Sequence, residues 1–289
     1  MHYTGYYINL DGNRGRKQEL ERQLAACNLQ PIYKRHPASL GNALNLKAPG
    51  LKPGAVGCFT SHYLLLQSLK NAATHVHVAE DDIVFGPTTG LVIDSMARNG
   101  DLDKWDMIYT DVWVPPDLQY IRELSALYRQ CATLNPDGTL KKVERFTLLN
   151  LSRRVFASTV SYVVNKNSLN KIAAILAEAV QGELSMPIDL YYRHQIHQGR
   201  ISAACIFPFV TSVNIRENLI SNITDTADGK LQRSILSTTM LRNLFFLHCD
   251  PKSLLKLGAE YLQVDAVDAR DQVIGDILRF SVSPSAQAF

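Results

Sequence analysis

Three consecutive acidic residues, Glu80, Asp81 and Asp82, are the first candidates for chemistry in this 289-residue sequence. They follow a short β-type run at residues 76–79, and apolar residues resume at once with Ile83. This pattern predicts a buried strand that ends at the edge of a sheet, where α/β proteins bind their ligands. Three carboxylates at such an edge repel one another unless a cation or a set of donors satisfies them. A divalent metal that carries a phosphorylated ligand would suit this position, and a solvated acidic turn is the alternative.

Other polar residues fall at the ends of predicted strands or at the starts of predicted helices. Arg14 and Arg16 follow the first predicted strand and could contact a phosphate or a base, or form a solvated first helical turn. Asp111 follows a later strand, as a second acid of the same site or as a turn carboxylate. Asp189 opens a predicted helix, where the helix dipole alone would explain an acid. His62 lies in an apolar helical segment, as a ligand contact or as a core histidine.

The elements that must position these residues are predicted from apolar periodicity. Small residues at 53–58 predict a helix N-terminus that packs close to other backbone, with Thr60 or Ser61 as its cap. The turn Asn135-Pro136-Asp137-Gly138 predicts a hairpin over residues 131–149. Strands are predicted at residues 5–10, 30–35, 76–79, 105–110, 159–164 and 201–207, and helices at 14–27, 60–70, 87–99, 167–181 and 186–199.

Composition excludes several classes of protein. The hydrophobic fraction of 46% and the charged fraction of 20% predict a globular protein. The net charge of +3, without a long Lys/Arg tract, does not favour a nucleic-acid partner. Five scattered cysteines form neither a metal framework nor a disulfide scaffold and indicate a reducing cytosol. We see no signal peptide and no apolar stretch of membrane-span length, so any membrane association is predicted to be peripheral.

The pattern changes near residue 230, after which helices dominate. Helices are predicted at residues 231–248, 253–262 and 264–280, so we divide the chain into a domain at 1–225 and a helical extension at 226–289. The mixture of basic and apolar residues favours a helical subdomain that packs on the core or on a second subunit. Contact with an anionic membrane surface is the alternative.

Three motifs in this order resemble glycosyltransferase family 25, which includes bacterial lipooligosaccharide β-galactosyltransferases and relatives of the collagen galactosyltransferases. The motifs are Ile8-Asn9-Leu10-Asp11 with Arg16, Gly57-Cys58-Phe59-Thr60-Ser61-His62, and Glu80-Asp81-Asp82. Weaker matches are the strand at 159–164, Pro187-Ile188-Asp189, and Ser221-Asn222-Ile223. The sequence departs from the family at Gly12, where a basic residue is frequent, and in the helical tail.

The resemblance implies an α/β fold of the GT-A type, a Rossmann-like nucleotide-diphospho-sugar transferase domain, here with a C-terminal helical extension. It also implies an inverting reaction that depends on Mn²⁺ or Mg²⁺, with Asp82 and Glu80 as metal ligands. Asp189 is our choice for the catalytic base and Asp111 is the reserve. The donor-binding residues that the resemblance implies are Asn9, Leu10, Asp11, Arg16, Ser61, His62, Glu80 and Asp81.

The partners expected from the resemblance are a UDP-sugar donor, with galactose first, and an oligosaccharide or glycolipid acceptor of lipooligosaccharide. We expect a cytoplasmic protein with peripheral contact to the inner membrane, a homodimer through the C-terminal helices, and no nucleic acid. A glycoside hydrolase would also need two carboxylates, but it would not need a metal-type triplet. A nucleotidyltransferase should show a Gly-rich phosphate loop, and a non-catalytic protein that binds sugar nucleotides or lipids is a further alternative.

Overall fold

A computed structural model describes residues 1–136, 138–215, 229–254 and 256 of the chain. Its strands are β1 (Tyr3–Asn9), β2 (Tyr33–Pro37), β3 (His75–Glu80), β4 (Ile83–Phe85), β5 (Met107–Tyr109), β6 (Ala132–Leu134), β7 (Leu140–Val143), β8 (Thr147–Asn150), β9 (Ser161–Val164), β10 (Ala203–Phe207) and β11 (Thr211–Val213). Seven of them form the central sheet in the order β2-β1-β3-β9-β5-β10-β8. Within it, β9 and β8 are antiparallel to their neighbours and the other five strands run in one direction.

Helices cover both faces of the central sheet. They are α1 (Arg14–Ala26), α2 (Pro53–Ser68), α3 (Thr89–Arg98), α4 (Leu118–Cys131), α5 (Leu169–Gln181), α6 (Ile188–His197) and α7 (Gly229–Leu244), with short 3₁₀ turns at Leu102–Lys104 and Lys166–Ser168. Leu20 of α1 and Ile93 of α3 belong to the apolar cluster on one face. The larger cluster on the opposite face takes side chains from α2 and from α4 to α7. The result is a Rossmann-like α/β domain, as predicted.

The sheet brings the carboxyl ends of its parallel strands to one edge. β1 ends at Asn9 and β3 ends at Glu80, and β1 pairs with β3 in parallel. The antiparallel strand β9 begins at the same edge, where the Glu80 N–H donates to the Val160 carbonyl at 2.8 Å. β5 ends there also, since Tyr109 pairs with Tyr162 near the start of β9. This edge therefore gathers the polar residues that the sequence places at strand ends.

Most predicted elements are confirmed to within a few residues, but the predicted start of α2 is wrong. The helix begins at Pro53, well before residue 60, so Thr60 and Ser61 lie in its interior and do not cap it. Proline is favoured in the first turn of a helix because its missing N–H is not needed there. Two glycines in a helix weaken it, and the good capping residues Thr60 and Ser61 therefore led to a predicted start that is too late.

Helix α4 and the extent of the hairpin are further corrections. The sequence analysis predicts no helix at residues 118–131, yet Asp117 caps α4 by accepting the Tyr120 N–H at 2.7 Å. The apolar face of α4 includes Ile121, Leu124 and Tyr128. β6 and β7 form the predicted hairpin, whereas β8 leaves it and pairs with β10 at the edge of the central sheet.

The predicted C-terminal helix at 231–248 is confirmed by α7, and Leu241 and Phe245 belong to the larger core cluster. The division of the chain at residue 225 stays a prediction. Asp137, Ser221-Asn222-Ile223, the predicted helix at 264–280 and most of the one at 253–262 lie outside the described residues. In the described ranges, no helix is long and apolar enough to cross a membrane. The five cysteines are free thiols.

Gly57 allows α2 to pack against the loop after β2, as the run of small residues predicts. A Cβ at this position would lie 2.6 Å from the Ser39 carbonyl oxygen and 2.9 Å from the Gly41 nitrogen. One turn later, the Ser61 hydroxyl donates to the Gly57 carbonyl at 2.6 Å and accepts from the Ser39 N–H at 2.8 Å. Helix and loop are therefore in direct backbone contact.

We expect Gly57→Ala to lower the free energy of unfolding by about 1–3 kcal/mol, because the added methyl overpacks this contact. The matched control is Gly15→Ala in α1, where a Cβ meets nothing within 4 Å. That change should be neutral or slightly stabilising, since alanine is the better helix former. Urea unfolding of both variants checks the prediction, and equal effects at the two positions would contradict it.

Candidate functional site

Asn9 and Arg16 hold Asp81, the middle acid of the triplet. The Asn9 side chain donates to Asp81 Oδ2 at 2.7 Å, and Arg16 Nη1 donates to Asp81 Oδ1 at 3.2 Å. Arg35 donates to Asn9 Oδ1 at 3.1 Å and so fixes the orientation of the amide. Burial raises the pKa of Asp81, and the contacts with Asn9 and Arg16 offset part of that increase. The β1–α1 turn is thereby bonded to the acidic turn.

Glu80 is held by His62 and Thr159. His62 Nε2 lies 3.3 Å from Glu80 Oε1, and the Thr159 hydroxyl donates to the same oxygen at 2.7 Å. Because an ionised carboxylate only accepts, Nε2 carries a proton, and in the neutral ring Nδ1 accepts from the Tyr162 hydroxyl at 2.8 Å. Burial raises the pKa of Glu80, but the interactions with His62 and Thr159 outweigh burial and bring the pKa below its usual range.

Asp82 differs from its two neighbours because its Oδ1 atom is buried and no described residue forms a hydrogen bond with it. Burial, and then the charges of Glu80 and Asp81, raise the pKa of Asp82 to about 7. Its backbone is held, since the Asn214 N–H donates to the Asp82 carbonyl at 2.8 Å. The backbone of the third acid is therefore held, while its Oδ1 atom lacks a hydrogen bond among the described residues.

Two groups of side chains could hold a divalent ion. The carboxylate oxygens of Asp82 and Glu80 suit Mn²⁺ or Mg²⁺. Cys58 Sγ, a His62 ring nitrogen and a Glu80 oxygen lie within 4.8 Å of one another and would suit Zn²⁺. In that second group His62 already bonds to Glu80, and burial followed by nearby carboxylates raises the pKa of the Cys58 thiol well above its usual range. The unpartnered Oδ1 of Asp82 makes the oxygen set the better fit.

Asp189 lies close to the acidic turn. It is half-buried in the first turn of α6, where its Oδ1 accepts the Leu190 N–H at 2.9 Å and its Oδ2 accepts the Ser158 N–H at 3.4 Å. Burial is the main cause of the raised pKa of the Cys58 thiol, and the negative charges of Glu80, Asp189 and Asp82 raise it further. Asp189 therefore shares the surroundings of this thiol with two acids of the triplet.

Asp111 lies at the same sheet edge but is committed to an ion pair. Only 1% of its surface is exposed, and Arg242 Nε of α7 donates to its Oδ2 at 2.5 Å. Removing one partner of a buried ion pair leaves an uncompensated charge, so the two residues depend on each other. The reserve candidate for the base is thus bonded to the C-terminal helix.

The remaining predicted donor-binding residues have different surroundings. Ser61 is buried and its hydroxyl is used between α2 and the loop after β2. Asp11 is exposed in the β1–α1 turn and pairs with Arg35 at 2.5 Å, and Leu10 precedes it in that turn. His62 is fully buried and contacts Glu80, so it is both a core histidine and a member of the site.

Sequence reasoning missed several side chains that hold the site. Thr159 and Tyr162 lie in a segment predicted only as a strand, and each bonds to Glu80 or to its partner His62. Arg35 ends a predicted strand without any signal that it would reach Asn9. Arg242 lies 131 positions from Asp111, so no local pattern could pair them. For Cys58 the Gly-Cys-x-x-Ser-His spacing was the available signal.

A Rossmann-like sheet with clustered acids at the carboxyl ends of its parallel strands is consistent with an α/β glycosyltransferase domain. The family model of glycosyltransferase family 25 (LPS biosynthesis protein) matches residues 2–192, and the chain belongs to this family. It is accordingly a glycosyltransferase of lipopolysaccharide biosynthesis. The match includes the acidic triplet and Asp189, but it ends before β10, β11 and α7. No curated protein matches the chain.

We expect Asp82→Asn to stabilise the metal-free protein at about pH 8 and to have a clearly smaller effect at about pH 5, where the folded carboxyl is still protonated. Asp82 has a folded pKa of about 7, above the unfolded value of about 3.9. Its protonated form therefore favours folding at low pH, and this contribution is lost as the pH rises through 7. The variant should melt a few degrees above wild type at the higher pH.

Thermal melts in chelator at the two pH values check this prediction, with the lower pH as the internal control. Added Mn²⁺ should raise the melting temperature of wild type and not that of Asp82→Asn, because the ion would relieve the unpaired charge. A difference between the two proteins that does not change with pH would contradict the assignment.

Proposed function

We propose that the protein is an inverting, divalent-metal-dependent glycosyltransferase of the GT-A type. It transfers a hexose, with galactose as the first choice, from a UDP-sugar to a saccharide acceptor of lipooligosaccharide or a related surface glycan. The observation that carries the proposal is Asp82, a carboxylate fixed at a strand end with a buried, unpartnered oxygen. Its neighbours Glu80 and Asp81 are bonded to other elements, so Asp82 alone in the triplet offers an unpaired charge.

The donor would bind along the carboxyl ends of β1 and β3. Nucleotides bind at this edge in Rossmann-like sheets, and the turn after β1 carries Leu10, Asp11 and Arg16. Arg16 is mostly buried, with 14% of its side chain exposed, and it is held against Asp81. The bond orients a cationic side chain at the edge where a phosphate would lie, which supports the predicted role of Arg16.

Asp82, with Glu80, would hold Mn²⁺ or Mg²⁺. When bound, such an ion neutralises negative charge on the departing diphosphate. The chain itself supplies the support for these ligands. His62 and Thr159 keep Glu80 ionised and fixed, and the Asn214 N–H holds the backbone of Asp82. Neither carboxylate then has to reorganise far when the donor arrives.

Asp189 is the base that the geometry favours. An acceptor hydroxyl must lose its proton as its oxygen attacks the anomeric carbon from the face opposite the leaving diphosphate. Asp189 would accept that proton on a carboxylate that two backbone N–H groups orient. Asp111 is less suited, because one of its oxygens is occupied by Arg242 in a buried position.

The acceptor would approach from the side of α4 and the loop before β9. A groove of about 900 Å³ lies there, lined by Pro115, Asp117, Tyr120, Asn150, Arg153 and Arg154 among others. Arg154 lies over the Tyr120 ring at 5.5 Å. Polar and aromatic groups of this kind suit a saccharide, and the same loop continues to Ser158, which bonds to Asp189.

The cytoplasmic location, the peripheral contact with the inner membrane and the homodimer through the C-terminal helices stay predictions. Several apolar side chains of the basic helical segment are buried within this chain, namely Leu236, Leu241, Phe245 and Phe246. The sequence predicts that this apolar face packs either on the core or on a second subunit. The buried side chains favour packing on the core of the same chain.

A panel of nucleotide sugars tests the donor and the metal together. We expect a UDP-hexose to raise the melting temperature in Mn²⁺ by mass action and to do so much less in chelator. Asp82→Ala should lose the metal-dependent shift. The control is Asp103→Ala, which removes a partly exposed acid near His75, at the opposite end of β3. No stabilisation by any nucleotide sugar, together with hydrolysis of simple glycosides, would contradict the proposal.

Asp189→Asn should reduce sugar transfer by about a hundredfold or more, because the amide cannot accept the acceptor proton. Binding of UDP should remain nearly unchanged, since the side chain acts on the acceptor. Transfer to a saccharide acceptor and calorimetric binding of UDP are measured on the same preparation. Wild-type turnover in Asp189→Asn, with loss of turnover in Asp111→Asn, would move the role of base to Asp111.

A further inference from the structure

Arg242 of α7 is buried at the acidic edge of the sheet. Only 5% of its surface is exposed, and its Nε donates to Asp111 Oδ2 at 2.5 Å. Asp111 comes directly after Thr110, whose N–H donates to the carbonyl of Ser161 at the start of β9. Since β9 begins where β3 ends, the guanidinium lies at the edge that carries the acidic triplet.

A short series of contacts connects α7 with Asp82. The side chain of Asn243, next to Arg242, donates to the Val213 carbonyl at 3.1 Å. Val213 of β11 pairs with Ile83 of β4, the residue that follows Asp82. The Asn214 N–H then donates to the Asp82 carbonyl at 2.8 Å. The position of α7 is therefore coupled through backbone bonds to the position of the third acid.

Arg242 has hydrogen-bonding capacity that the described residues do not use. Its Nη2 is buried without a partner, and so is Oδ1 of Asp111. A buried charged donor without an acceptor is costly. The bond to Asp111 places the guanidinium at the edge of the sheet that carries the acidic triplet.

We infer that Arg242 is a binding residue for the diphosphate of the sugar donor, positioned by Asp111 and brought to the site by α7. The inference rests on the proposed function and deepens it. The family match at residues 2–192 does not reach α7, so it does not itself assign this role to Arg242. A guanidinium suits phosphate oxygens through its planar set of donors. A cation held by Asp82 and the Arg242 guanidinium would both supply positive charge to the diphosphate at this edge of the sheet.

The alternative role for Arg242 is purely structural, as an ion pair that holds α7 on the core. The two roles differ in their dependence on the number of phosphates in the ligand. A structural defect should weaken uridine, UMP and UDP alike, or none of them. A lost diphosphate contact should weaken UDP most and uridine least.

Calorimetric titration of the full chain with uridine, UMP and UDP in Mn²⁺ tests the inference. We expect Arg242→Gln to weaken UDP by about tenfold or more, the scale of a lost charged hydrogen bond, and to leave uridine nearly unchanged. The matched control is Leu236→Ala, which removes a buried apolar side chain of α7 and leaves Arg242 and Asn243 in place. It should lower the melting temperature and keep the wild-type ratio of UDP to UMP affinity.

A folded Arg242→Gln protein with the wild-type preference for UDP over UMP would overturn the inference. If Arg242→Gln does not fold, the double variant Asp111→Asn/Arg242→Gln removes both charges and retains a neutral hydrogen-bonding pair. The same comparison then decides the question. If the wild-type protein binds no uridine nucleotide, the proposed function itself is overturned. If wild type binds UDP and the Arg242 variant binds it equally well, only the role of Arg242 is overturned.

Discussion

The crowding of three carboxylates at the end of β3 is the constraint on which the site depends. Each charge has a different environment, because no single partner could satisfy all three. Glu80 bonds to a histidine of α2 and a threonine before β9, and Asp81 bonds to β1 and α1. Asp82 keeps an unpaired oxygen. The surrounding elements are thus fixed by two of the acids, while the third keeps an oxygen that no described residue satisfies.

The parts of this arrangement that sequence could predict are local. Apolar alternation and the abrupt change to acids at residue 80 predict both β3 and the edge at which it ends. The sequence predicts the close packing at residues 53–58, but it places the start of α2 too late, at Thr60 or Ser61, because these are good capping residues and glycines such as Gly54 and Gly57 weaken a helix. The helix α4 was missed although Ile121, Leu124 and Tyr128 recur at the spacing of one helical face.

The contacts that complete the site span long sequence separations. Thr159 and Glu80 are 79 positions apart, and His62 and Tyr162 are 100 positions apart. Period and composition describe a window of neighbouring residues, so they cannot pair such side chains. They also cannot assign an environment to each member of a triplet, since Glu80, Asp81 and Asp82 differ only in what the folded chain places around them.

The end of the family match and the end of the folded unit are different places. The match stops at residue 192, inside α6, whereas β10 lies between β5 and β8 in the central sheet. A polypeptide cut at the match boundary would leave an open edge on β5 and would deprive β8 of its neighbour. Exposed strand edges of this kind promote self-association. Expression of a shortened enzyme therefore has to retain the segment through β11, and α7 with it, for the catalytic half to remain soluble.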